Sequence, residues 1–303
     1  MIRSICVFIL ISYTLAQDMQ VRYVSAYTID VKWGGEVETI FEVNAAPDYL
    51  RINGKLNFKR WFFRMFGGER GIIKISGTDN LMNYNAKRER YWLSPPEDSN
   101  NLIKNLMADG TFFNSDQKKE NTEEKTREKS TSESDKQNEF MDIFENDNGT
   151  PKIDRNMSDG IEDVNGFRTK KWITTISTEE NKMVIEEWIV DQLPLKDSLY
   201  SYIFPILEID TSSIDSLTIP KFSSYDIIKD VDSTYKTQPM DAIIVLAKLS
   251  IDSDNGWVKS MEFEIRELYT IPFDASSFAI PEEYERFEIE EELDEDGQDN
   301  GID

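Results

Sequence analysis

Histidine does not occur anywhere in the 303 residues, and cysteine occurs once, at Cys6. Without histidine the chain lacks the commonest general base and the usual transition-metal ligand, so every Ser-His-Asp or Cys-His arrangement is excluded. No zinc or haem site, no cofactor and no catalytic residue is therefore expected. Serines near lysines, as at Lys129-Ser130, fall in a polar stretch that fixes no geometry for a Ser-Lys nucleophile. Carboxylates abound, but Glu186 and Glu187 alternate across one strand, and Glu262 and Glu264 sit opposite an apolar face. They read as solvated side chains rather than a glycosidase pair. Residues 67–71, Gly-Gly-Glu-Arg-Gly, lack the Lys and Ser/Thr of a phosphate loop and read as a turn. The acidic residues 294–303 alternate like a calcium loop, but no glutamate closes the twelfth position, and no metal is assigned.

Positive charge is scarce too: 34 Lys and Arg stand against 58 Asp and Glu, a formal net charge of −24. Such a chain repels nucleic acid and, overall, anionic surfaces. What the sequence does have begins at residue 1: Arg3, an apolar stretch over residues 5–15, then Thr14 and Ala16 at the small positions before Gln17. This is the pattern of a secretory signal, residues 1–16, cleaved after Ala16. The stretch is shorter than the roughly 20 apolar residues of a membrane span. The protein is thus expected in the periplasm or outside the cell, without the only cysteine, resting on its core rather than on disulfides.

From Val21 the sequence alternates, with Val21, Tyr23, Tyr27, Ile29, Val31 and Trp33 on one face, and Gly34-Gly35 turns into a second strand over 36–43. Asn53-Gly54 reads as a further turn, and 71–76 and 90–93 as short strands. Residues 115–163 hold fifteen acidic and eight basic residues and few apolar ones, too little apolar area to offset ordering, so disorder is expected. An insertion within one sheet fits better than a linker, since neither flank looks complete alone. Two hairpins follow, over 167–177 with 182–192 and over 242–251 with 257–269, and residues 195–207 between them suit a helix despite Pro205. Residues 286–303 form an acidic tail.

The expected fold is mainly β with a few helices: a curved antiparallel sheet or half-open barrel with covering helices near 99–107 and 195–207, interrupted by the insertion. Its parts are residues 17–114 and 164–285 of one domain. Tyr27, Ile29, Trp33, Trp188, Trp257 and Phe263 are the candidates to line an apolar cavity under the cover. Phe58, Trp61, Phe62, Met65 and Phe66 recur at helical spacing beside Lys59, Arg60 and Arg64. They form a candidate lid or interfacial helix touching a membrane at most peripherally; a helix packed permanently on the sheet is the plainer alternative.

Three loose motifs carry a resemblance: residues 164–172 (VNGFRTKKW), 187–190 (EWIV) and 272–284 (PFDASSFAIPEEY). Through them the chain resembles uncharacterised secreted bacterial proteins of the lipoprotein-carrier-like superfamily, half-open antiparallel barrels whose concave side is plugged by helices. The resemblance implies a periplasmic protein with an apolar concavity for an acyl chain or lipidated partner. A second expectation is an envelope assembly or adaptor protein whose acidic insertion and tail recruit a basic protein partner.

Overall fold

The computed structural model describes residues 19–95, 151–208, 223–232, 234–236, 242–253 and 257–288. The expected signal, the helix near 99–107, the insertion as far as residue 150 and the tail beyond residue 288 lie outside these residues.

The described residues fold into one curved, unclosed sheet of twelve strands. In chain order these are β1 (Met19–Val31), β2 (Gly35–Ala46), β3 (Tyr49–Phe58), β4 (Gly68–Ile75), β5 (Leu81–Asn85), β6 (Arg90–Ser94), β7 (Lys152–Val164), β8 (Phe167–Ser177), β9 (Lys182–Val190), β10 (Ile243–Asp252), β11 (Val258–Pro272) and the two-residue β12 (Glu285–Arg286). Their order across the sheet is β12-β6-β5-β4-β3-β2-β1-β11-β10-β9-β8-β7, antiparallel throughout except for the parallel pair β12–β6. Two meanders thus meet along β1 and β11, paired from Met19↔Pro272 to Val31↔Val258. The segment after β6 leaves one side of the sheet, and β7 enters as the strand at the opposite edge.

Two helices, α1 (Lys196–Leu207) and α2 (Ser224–Val231), lie on one face, called here the inner face. Although α1 follows β9, it packs against β2, β3 and β4. Its Leu199, Ile203 and Ile206 join Val21, Val43, Leu50 and Ile52 in the main core, and α2 adds Ile227 and Ile228. Alternation sends every second side chain of each strand to this face. The opposite, outer face carries a second cluster, in which Phe278 of the segment before β12 packs with Ala46, Ile73 and Tyr84. Across β1, β2 and β11 the outer face carries paired charges: Arg22 bridges Glu42 and Glu267 at 2.6 and 2.8 Å, and Arg266 bridges Glu38 and Glu264 at 2.7 and 2.5 Å.

Three expectations need correction. Asn53-Gly54 is no turn, because β3 runs through it with Gly54 buried opposite Phe41; the chain reverses instead at Pro47-Asp48, between the paired Ala46 and Tyr49. Gly68 to Gly71 are likewise strand, and Gly71 is bare because the Tyr84 side chain crosses it. The polar insertion was expected to continue to Asp163, yet β7 occupies its last part. There Ile153 packs on the core, and the backbone pairs with β8 from Lys152↔Ser177 to Val164↔Phe167. Composition misjudges such a strand because pairing with β8 satisfies the backbone groups on that side, while the outer edge and nine of its thirteen residues face water.

Burial also fixes an alkaline limit. It pushes the Tyr23 hydroxyl up to about 12 against an opposing hydrogen bond with Ser25, pushes Tyr84 up to about 12 despite the nearby Arg51, and raises Tyr27 as well. An unfolded tyrosine ionises near pH ~10. The folded values are raised, so this stabilisation is complete below pH ~10 and disappears as pH climbs through the folded values. The urea midpoint is expected to hold steady up to about pH 10 and fall steeply toward pH 12, less steeply in Tyr23→Phe. A flat midpoint across that window would show that these hydroxyls ionise alike in both states.

Candidate functional site

Among the described residues the inner face is not covered evenly. At the end where β1 begins, Val21, Val43, Leu50 and Ile52 are fully buried in the cluster that α1 completes. Toward the β1–β2 turn the same face is only half-buried, at Tyr27, Ile29, Val37, Phe41, Leu56 and Met261. Pairing sets these side by side: Tyr27 stands opposite Phe263 on one side and Thr39 on the other, and Ile29 opposite Met261 and Val37. Polar groups on this floor are few. The Tyr27 hydroxyl lies 3.7 Å from the Met261 sulfur, a weak contact that leaves it free to bond a ligand oxygen.

Beyond the floor the sheet ends in an aromatic tip. Trp33, in the β1–β2 turn, is 86% exposed, and Trp61 is 80% exposed. Trp61 opens a 3-10 helix, Trp61–Phe66, none of whose residues is buried. The turns are tied together: Arg60 donates to the Trp33 carbonyl at 2.5 Å, the Lys32 amide donates to the Trp257 carbonyl at 2.8 Å, and the Lys59 amide donates to the Glu36 carbonyl at 3.0 Å. Lys87, from the turn between β5 and β6, bonds the carbonyls of Met65 and Gly67.

Of the six cavity candidates, Tyr27, Ile29 and Phe263 share the inner face, with Phe263 buried beside Tyr27. Trp33, Trp188 and Trp257 do not join them. Trp33 and Trp257 are exposed at the tip, since each lies in or beside a turn where strand alternation lapses. Trp188 lies on the outer face, where its indole donates to Glu162 at 2.6 Å and the Lys171 ammonium sits 4.3 Å from the ring centroid. The reason is parity: its neighbour Glu187, opposite Ala247, takes the inward position.

The candidate lid also differs from expectation. It is a 3-10 helix of three residues per turn, which aligns Arg60, Phe63 and Phe66 instead of gathering Phe58, Trp61, Phe62, Met65 and Phe66 on one packed face. Phe63, absent from the helical reading, is its anchor: its ring lies 6.0 Å from Phe58 and 4.3 Å from Phe62. Trp61, Phe62, Met65 and Phe66 are left in water. A spacing of three rather than three and four was the available signal for Phe63.

Sequence reasoning also placed Glu187 in water, and the structure reverses this. Glu187 is fully buried; its carboxylate accepts from the Ser224 amide at 2.8 Å and from the Ser224 hydroxyl, fastening the start of α2. Glu186, Glu262 and Glu264 do face outward, paired with Lys171, Lys248 and Arg266. Among the described residues no group of three or more Cys, Asp or Glu could hold a metal, and no helix is long and apolar enough to cross a membrane.

No protein-family model matches the chain, and no curated protein matches it in sequence.

Proposed function

We propose that the protein is exported and acts by binding rather than catalysis, holding an apolar or lipid-like ligand on the half-buried end of its inner face. The observation that carries this reading is the graded cover: among the described residues, one continuous apolar face is closed by α1 at one end and only half-buried at the other, from Tyr27 and Ile29 to Met261. A surface of that kind costs free energy in water, and an acyl chain laid along it returns roughly 0.8 kcal/mol per buried CH2. The resemblance to lipoprotein-carrier-like proteins points the same way, at the level of fold.

Organic extraction of the protein purified from its own host is expected to release a lipid or similar apolar compound, detected by mass spectrometry. Ile29→Arg, which puts a charge on the floor, is expected to lower the amount recovered about tenfold while the protein still folds. Repeated recovery of empty wild-type protein, or full loading of the variant, would overturn the reading.

A further inference from the structure

The aromatic tip is a different surface from the floor, and it has its own chemistry. Trp33, Trp61, Met65, Phe66 and Trp257 are each more than half exposed, and the ring contacts of Phe62 and Phe66 are with Phe63 and Trp61, within the tip itself. These residues come from three neighbouring connections at one end of the sheet, and the hydrogen bonds through Arg60 and Lys32 hold them together. Isolated exposed apolar residues need no explanation, but a contiguous group of large ones marks a contact surface. Tryptophan, with an apolar ring and a polar N–H, is the residue that settles at a membrane–water boundary.

Charge identifies the occupant. Residues 55–68 contain Lys55, Lys59, Arg60 and Arg64 and no carboxylate, in a chain with 58 acidic and 34 basic residues. Lys59 is engaged by Glu36, but Arg64 is exposed, and Lys87 and the exposed Arg88 come up beside the tip from the β5–β6 turn. The tip is therefore a basic, apolar spot on an acidic body. Two copies meeting tip to tip would bring like charges together twice, at the tips and between the bodies. Anionic lipid headgroups fit instead: they pair with the guanidinium and ammonium groups while the rings enter the upper acyl region, to a depth of about 5–10 Å.

We propose that this tip docks the protein reversibly on the surface of an anionic lipid bilayer. The strongly negative body then points away from the membrane, and the half-buried end of the inner face lies next to the docked tip. The docking rests on the tip's residues alone and holds whether or not the floor carries a ligand.

The test is flotation of protein purified from its host with vesicles of phosphatidylcholine containing about one third phosphatidylglycerol, and with phosphatidylcholine alone. Binding to the anionic vesicles at low salt, with tryptophan emission shifted to the blue, is expected, and it should weaken as salt screens the headgroups. The double substitution Trp61→Ser with Phe66→Ser is expected to lower partitioning about tenfold or more, from the apolar area lost, with an unchanged urea midpoint because both side chains are exposed. Arg64→Glu should weaken binding to the anionic vesicles more than to the neutral ones, and Ile29→Arg should bind as wild type does, which separates docking from ligand loading. No partitioning of wild-type protein at low salt, or equal partitioning by the double variant, would sink the proposal. So would a concentration-dependent dimer that the double variant abolishes, since the tip would then serve self-association.

Discussion

Gly71→Ala is expected to destabilise the fold by about 3 kcal/mol, at the upper end of overpacking effects, although it adds a single methyl group to a strand. The added Cβ would lie 2.5 Å from the Tyr84 hydroxyl oxygen and 2.6 Å from the Ile52 carbonyl oxygen. Neither can yield easily. Ile52 belongs to the neighbouring β3, paired with β4 from Tyr49↔Ile75 to Leu56↔Gly68. Tyr84 is buried, and its hydroxyl bonds Asn53 and accepts from Arg51 at 3.0 and 3.2 Å, while Arg51 also donates to the Ser277 carbonyl at 3.0 Å. A displaced Tyr84 ring would therefore disturb the segment that covers the outer face, where Phe278 packs against Tyr49. Gly160→Ala is the control, since nothing lies within 4 Å of its added Cβ, and it is expected to stay within about 0.5 kcal/mol of wild type. Urea unfolding of both variants checks the pair; equal midpoints would refute the close approach at Gly71. Tyr84→Ala in the Gly71→Ala background removes one of the two clashes, so partial, non-additive relief is expected.

Glu187→Ala is expected to cost a similar amount, about 3 kcal/mol, because two donors lose their acceptor in the interior. The Ser224 amide and hydroxyl both end on this carboxylate, and both residues are fully buried. Ser223 caps the same helix through the Tyr225 amide at 3.1 Å, so α2 should loosen at its start rather than vanish. Ile227 and Ile228 would then leave the main core part of the time. Hydrogen exchange over residues 224–231 should accelerate in Glu187→Ala, and much less in Glu187→Gln, which keeps one acceptor for the amide. If the alanine variant exchanges like wild type, Glu187 does not hold α2.

The two predictions fall where sequence reading went astray, and for related reasons. Gly71 sits where the turn expected over 67–71 meets the strand expected over 71–76, and neither pattern shows the tyrosine lying across it. A glutamate beside another glutamate looks solvated until strand parity and a distant serine, 37 positions away, put it inside. The long strands, both late hairpins and the helix near 195–207 were legible because alternation and helical spacing are local patterns. Strand β7 was not, because its order comes from pairing with β8 and not from its own apolar content. The site was legible in part: Tyr27, Ile29 and Phe263 follow from alternation, whereas Trp188 points the other way by one step of parity.

The sequence by itself determined that no imidazole chemistry is available, since a chain without histidine has none to place wherever it folds. It determined a mainly β architecture too, because period-two alternation is written residue by residue. Tertiary structure decided what no local pattern contains: that β11 joins β1, that α1 crosses to β2, β3 and β4, and that, among the described residues, one apolar face is fully buried at one end and half-buried at the other. It also turned four of the five residues of an apparent amphipathic helix into an exposed tip, with Phe58 and the overlooked Phe63 drawn inward. The physical reason is that burial belongs to pairs of surfaces, and which surfaces meet depends on strand order and register rather than on the residues of either one.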